Sequence, residues 1–167
     1  MHLLRDKLAA SKSRIVFVSS GAVRNVPDVS VIEEEVKGGS GAPGWKVYCA
    51  TKFIALLGAH WWRRQLWGQC DVVAVSPGLI PGTGLARGTD MKIDPNSPDA
   101  KSPAEGGANI LRALFRSDLP EDPQRIFLTS WGEWWPKDVY GNSLDEKLQD
   151  KWCPSKEQLE KEEGLTS

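Results

Sequence analysis

The stretch Arg14-Ile-Val-Phe-Val-Ser-Ser20 decides how this chain reads. Four apolar residues, three of them β-branched, stand between an arginine and two serines. That is the pattern of a short strand buried on both faces, as in a parallel sheet. A second run of the same kind lies at Asp71–Ser76, with Val-Val-Ala-Val stopped by Pro77-Gly78, and a third at Arg125–Thr129. Before the first strand, Leu3, Leu4 and Leu8 are spaced helically in the segment Met1–Lys12. Between strands one and two, Lys46–Trp67 reads as a helix that is apolar almost all round and stopped by Gly68, which implies burial on two sides. Between strands two and three, Ser102-Pro-Ala-Glu105 places an N-cap serine, a proline at the first helical position and a glutamate at the third, opening a helix to about Phe115. The alternation of strand and helix predicts an α/β protein: a parallel sheet of about three strands flanked by helices, a partial Rossmann fold. Pro27–Gly44 reads as a long loop, with Glu33–Glu35 as a solvated acidic run. The tail carries two N-cap boxes, Ser143-Leu-Asp-Glu146 and Ser155-Lys-Glu-Gln158, each predicting a short surface helix.

Composition bounds what such a fold could do. The chain has 167 residues, enough for one core, and a net charge of −1 with both signs interspersed, so no basic stripe exists for nucleic acid. The longest apolar stretch, Phe53–Trp62, is interrupted by Gly58 and His60 and is too short to span a bilayer. Arg5, Asp6 and Lys7 inside the first apolar segment argue against a signal peptide. Three widely spaced cysteines, Cys49, Cys70 and Cys153, form neither a disulfide framework nor a zinc pattern and suit a reducing, cytoplasmic setting. His2 and His60 stand alone and read as structural. Of the eight tryptophans, Trp61, Trp62 and Trp67 read as core or subunit interface. Trp131, Trp134 and Trp135 follow the third strand and serve either packing or a substrate pocket.

In an open parallel sheet the ligand sits beyond the carboxyl ends of the strands. Ser19-Ser20-Gly21, Ser76-Pro77-Gly78 and Ser130-Trp131-Gly132 lie at those ends. Tyr48 and Lys52 are four residues apart and share one helix face. A phenol alone is a poor acid–base catalyst at neutral pH, and a nearby cation favours its charged form. Such a pair suits proton transfer to or from the oxygen of a carbonyl or alcohol, with a serine hydroxyl at the neighbouring strand end holding the same oxygen.

Tyr48-Cys-Ala-Thr-Lys52, preceded by Arg14–Ser20 and followed by Ser76-Pro-Gly-Leu-Ile80, resembles the short-chain dehydrogenase/reductase family. The resemblance covers the chain to about Gly132, a core of 1–132 with a tail of 133–167. It implies Ser20 as the substrate-orienting serine and Tyr48 as the acid–base. It implies Lys52 as both the electrostatic partner of the tyrosine and a ligand of the nicotinamide ribose. Pro77, Gly78, Ile80 and Thr83, with Tyr48 and Lys52, would line the cofactor. The long interval between Ser20 and Tyr48 is similar to the retinol-dehydrogenase-like branch and implies NADP, while the family resemblance implies a small organic substrate and a homo-oligomer or association with a full-length relative. The family's opening turn, Thr-Gly-x-x-x-Gly-x-Gly after a first strand, has no counterpart in these 167 residues, and Gly38-Gly-Ser-Gly41 follows no strand and reads as loop. The chain thus resembles the C-terminal catalytic half of a family member, and alone is expected to be inactive. The alternatives are a truncated non-redox relative serving subunit association or cofactor-free acid–base chemistry, or a misplaced gene start.

Overall fold

The computed structural model describes residues 1–87 and 92–165. Its centre is a parallel sheet of β1 (Arg14–Val18), β2 (Asp71–Val75) and β3 (Phe127–Leu128), in that order. Arg14 lies opposite Asp71 and Val18 opposite Val75, while Ala74 and Val75 face Phe127 and Leu128. Helix α3 (Gly44–Gln65) carries the chain from β1 to β2, and α4 (Pro103–Phe115) carries it from β2 to β3. The fold is α/β and partially Rossmann-like, as the alternation of runs predicts.

The apolar runs become strands because both faces of the sheet are covered. On one face, Phe53, Leu56 and Leu57 of α3 pack with Phe17, Ala74 and Phe127. On the other, Ile110 and Ala113 of α4 pack with Val16, Val73, Val75 and Leu128. Each fully buried leucine or phenylalanine contributes roughly 1.5–3 kcal/mol, so these layers carry much of the fold. The predicted box at α4 is present: Ser102 accepts from the Glu105 amide, and the Glu105 carboxylate accepts from the Ser102 amide. Helix α3 ends where the Leu66 amide reaches the Trp62 carbonyl, and Gly68 then turns the chain at φ +71°. Among the described residues no helix is long and apolar enough to cross a membrane.

Several expectations are corrected. The third strand is two residues, not Arg125–Thr129, because the chain folds back at Gly132 (φ +87°) and Trp134 pairs antiparallel with Leu128. The stretch Pro27–Gly44 is not all loop. Asp28 caps a single turn, and fully buried Ile32 anchors α2 (Ile32–Val36) to the core. The acidic run sits on that helix, with Glu33 bound to Lys151 at 2.6 Å and Glu35 3.9 Å from Lys46. Ser143 does not cap a helix: it is buried and donates to the Tyr140 carbonyl, while Asp145 caps α5 (Glu146–Trp152) by accepting from the amides of Lys147 and Leu148. The second tail box holds, with Ser155 capping α6 (Lys156–Glu162). At the start, a 3₁₀ turn precedes α1 (Arg5–Ala10), and neither has a buried residue, so Leu3 and Leu4 stay exposed.

Candidate active site

The carboxyl end of β1 gathers the first three expected residues. Helix α3 runs back along the sheet, so its opening turns lie over the end of β1. Tyr48 and Lys52 are half-buried there on one helix face. The Lys52 ammonium donates to the Val18 carbonyl at 3.4 Å, which ties it to the last residue of the strand. It also stands 5.8 Å from the centre of the Tyr48 ring. Ser20 follows two residues after that carbonyl. Its hydroxyl oxygen accepts from the Ala22 amide at 3.2 Å, capping the 3₁₀ turn Gly21–Asn25. A hydroxyl that accepts in this way keeps its proton to donate.

The remaining expected residues lie at the end of β2, the adjacent strand. The two ends are in register, since the Ser19 amide donates to the Val75 carbonyl at 2.8 Å. Pro77 and Gly78 open the turn there. Gly78 has φ +99°, and a Cβ on it would stand 2.6 Å from Lys101 Cγ and 3.2 Å from the Asp99 carbonyl oxygen. Only glycine lets the turn lie this close to the segment 99–101. Ile80 packs onto α4, where a Cβ on Gly106 would come within 2.8 Å of its Cδ1. Thr83 is exposed, and its hydroxyl donates to the Ile80 carbonyl, so it closes its own turn. The structure therefore brings Ser20, Tyr48 and Lys52 to one strand end and Pro77 and Gly78 to the next, with Ile80 and Thr83 further along the turn.

Two neighbours, Trp45 and Asn109, escape a motif-based reading. Trp45 stacks on Tyr48 with ring centres 5.8 Å apart, and its i, i+3 spacing was the available signal. Buried Asn109 donates to the Pro77 carbonyl at 3.0 Å, while its own oxygen accepts from Arg112. Ser19, the other serine of the strand end, has a buried hydroxyl with no hydrogen-bond partner among the described residues. Cys49, beside Tyr48 in sequence, is buried in the core, and burial pushes its thiol up, away from the reactive thiolate. Of the tryptophans, Trp61 and Trp62 are buried as expected, but Trp67 is exposed. Trp135 stacks on Phe127 in the core at 4.6 Å and also approaches the site, since a Cβ on Gly21 would lie 3.6 Å from its ring.

The class these features define is a partial Rossmann-like sheet with a serine, a tyrosine and a lysine gathered at one strand end. Over 161 residues, 95% of the chain, the sequence is 56% identical to a curated short-chain dehydrogenase/reductase of Pestalotiopsis microspora. Identity at that level over nearly the whole chain establishes the resemblance to this family, one of oxidoreductases, that the motifs imply. The chain spans about half, 55%, of that relative's length. No protein-family model and no solved structure matches it.

Proposed function

We propose that this chain carries the acid–base half of the active site of a short-chain dehydrogenase/reductase, one that interconverts a carbonyl and an alcohol on a small organic substrate with NADP(H). One observation carries the reading. Lys52 is tied to the end of β1 on the helix face it shares with Tyr48, with Ser20 two residues beyond that strand end.

The residues suit the nicotinamide end of the cofactor. Lys52 has ammonium hydrogens beyond the one given to Val18, and these can reach ribose hydroxyls. The Pro77-Gly78 turn offers backbone at the neighbouring strand end. The glycine-rich segment Gly38–Gly41 follows helix α2 rather than a strand, so it lacks the strand-to-helix turn that receives a pyrophosphate. When bound, the cofactor supplies the hydride. The chain's own part is to move the proton. Tyr48 donates its phenolic proton to the carbonyl oxygen in reduction and takes it back in oxidation. Lys52 keeps a positive charge beside the phenolate that remains. Ser20 donates its hydroxyl proton in a hydrogen bond to the same oxygen, fixing the substrate over the tyrosine. The preference for NADP rests on the retinol-dehydrogenase-like interval between Ser20 and Tyr48. The three free cysteines favour a reducing compartment such as the cytoplasm.

The test is turnover by the natively expressed polypeptide that contains these residues. Oxidation of NADPH with a panel of aldehydes and ketones is expected, with slower oxidation of NADH. Turnover with neither cofactor overturns the reading.

A further inference from the structure

At the opposite end of the sheet from Tyr48, two clefts of about 560 and 520 Å³ share Arg63, Trp67, Asp122 and Pro123. Arg63 lies about 22 Å along α3 from Tyr48 at 1.5 Å per residue, so this region is separate from the candidate active site.

The two neighbouring arginines there are used very differently. Arg64 is an anchor: its guanidinium donates to Gln149 at 2.8 Å, Glu146 at 3.2 Å and Asp150 at 2.5 Å, fastening α5 to α3. Arg63 is half-buried, yet among the described residues it makes no hydrogen bond and no ion pair. Its guanidinium lies 4.5 Å from the centre of the Trp67 ring, and burial opposes its charge, offset only in part by Asp122 and Tyr140. Asp122 itself is engaged, accepting from the Gln124 amide and paired with Lys137 at 3.0 Å. His60, also in the wall of the smaller cleft, is 4% exposed, and its Nε2 has no partner among the described residues. Burial holds its pKa near 3, so it is a neutral imidazole that can donate one N–H.

The carboxylates in the cleft wall, Asp122 and Glu146, are engaged by Lys137 and Arg64, which leaves Arg63 without an acceptor of its own. A half-buried guanidinium and a buried imidazole nitrogen, both without a protein partner among the described residues, call for an explanation. The missing group is an anion. A volume of about 520 Å³ is ample for an organic molecule, and Trp67, Pro123 and Leu144 supply apolar wall. We propose that this cleft is a second ligand site, one that takes a small organic carboxylate with its oxygens on Arg63, next to the wall that holds His60, and its apolar body against Trp67 and Pro123. The proposal does not depend on the redox reading, because it uses none of the same residues.

Calorimetric titration of the full 167-residue chain with benzoate, benzamide and inorganic phosphate tests it. Benzoate should bind saturably at one site. Benzamide lacks the charge and phosphate lacks the apolar body, so each should bind at least about tenfold more weakly. The nuclear magnetic resonance signals of the His60 imidazole should move along the same saturation curve as benzoate is added. Arg63→Gln should weaken benzoate at least about tenfold. Arg63→Lys keeps the charge but loses the two-pronged fork and should fall between the two. Absence of saturable benzoate binding overturns the proposal. So does equal binding of benzamide or phosphate, equal binding by the Arg63→Gln chain, or a His60 signal that does not move. Should Arg63→Gln not fold, the comparison of the three probes on the unaltered chain decides.

Discussion

Replacing Tyr48 with phenylalanine removes one oxygen and leaves the ring that stacks on Trp45. If the phenol is the proton donor, turnover of the active polypeptide should vanish while its unfolding curve is unchanged. Ser20→Ala removes a donor to the substrate oxygen and also the cap on the Ala22 amide. It should lower turnover on the order of 10²-fold and stability by about 1 kcal/mol. Steady-state rates beside a denaturant melt separate the two effects. A Tyr48→Phe protein turning over at near the unaltered rate would discard the assigned chemistry. Gly78 makes a different demand, set by backbone. At φ +99°, a methyl group would meet Lys101 Cγ at 2.6 Å and the Asp99 carbonyl oxygen at 3.2 Å. The lysine stem can swing away, but the carbonyl belongs to a segment paired with the turn, Leu79 donating to Asp99 and Lys101 to Leu79. Gly78→Ala should therefore cost on the order of 1–3 kcal/mol, read from urea unfolding. Unaltered stability would show that the turn relaxes freely.

At the scale of the element, α3 carries Tyr48 and Lys52, the proposed proton-transfer pair, at one end and a buried imidazole towards the other. His60 has its pKa lowered from the ordinary 6.5 to about 3 by burial, with the Arg63 charge acting the same way. Between those values the folded chain keeps it neutral while the unfolded chain takes up a proton. The unfolded state thus binds more protons in that window, and stability falls as pH drops from 6.5 towards 3. The slope attributable to this group is about 1 kcal/mol per pH unit. Unfolding free energies between about pH 6.5 and 5, where exposed carboxylates stay ionised in both states, should show it. His60→Phe should flatten that slope, and an equally steep slope in the variant would assign the effect elsewhere. The loop before α3 makes a second claim. Because Gly38–Gly41 follow helix α2 rather than a strand, the 167-residue polypeptide alone should bind NADPH more weakly than micromolar, about −8 kcal/mol. Nicotinamide fluorescence measures this, and a tighter complex would mean that other residues hold the pyrophosphate.

The elements that could be read in advance are those whose signal is local and repeated. Strands β1 and β2 are legible because each is an unbroken apolar run with helices packed on both faces of the sheet, and α4 because its capping box is contiguous in sequence. Helix α2 was hidden because one buried residue, Ile32, holds it, and one residue has no period. Strand β3 was overestimated because its length is set by Trp134 folding back upon it, and Ser143 was misread because a hydroxyl in the right register gave its proton to Tyr140. In the candidate site, the spacing of Tyr48 and Lys52 was legible from helix geometry alone. The grip of Asn109 on the Pro77 carbonyl was not, because the partners are 32 residues apart and meet only through packing.

At the scale of the whole molecule, the strand order leaves β1 at an edge. It is nevertheless built like an interior strand, with Ile15, Val16, Phe17 and Val18 and no charged residue among them. Along its outer side no strand pairs with it among the described residues, and Val18 is 45% exposed. Edge strands of soluble proteins are commonly shortened, charged or covered, because unpaired amides and carbonyls template association. Here the one charge at the strand, Arg14, is turned inward to Asp71 and to the carbonyls that end α4. Further apolar surface adds to the effect: Leu111 and Phe115 on α4 and Leu3 and Leu4 near the start are all exposed. The 167-residue polypeptide should therefore not persist as a monomer. It should pair through this edge with a second copy or with a longer relative, or aggregate. Sedimentation velocity across a concentration series should show mass rising with concentration. High salt should not reverse it, since backbone pairing and apolar burial are not screened as surface charges are. Hydrogen exchange supplies the second reading: the amides along the outer side of β1 should gain protection as association proceeds, while those directed at β2 are protected throughout. A monodisperse monomer with a cooperative melt would overturn this, and would mean that the edge is sheltered by residues of this same chain.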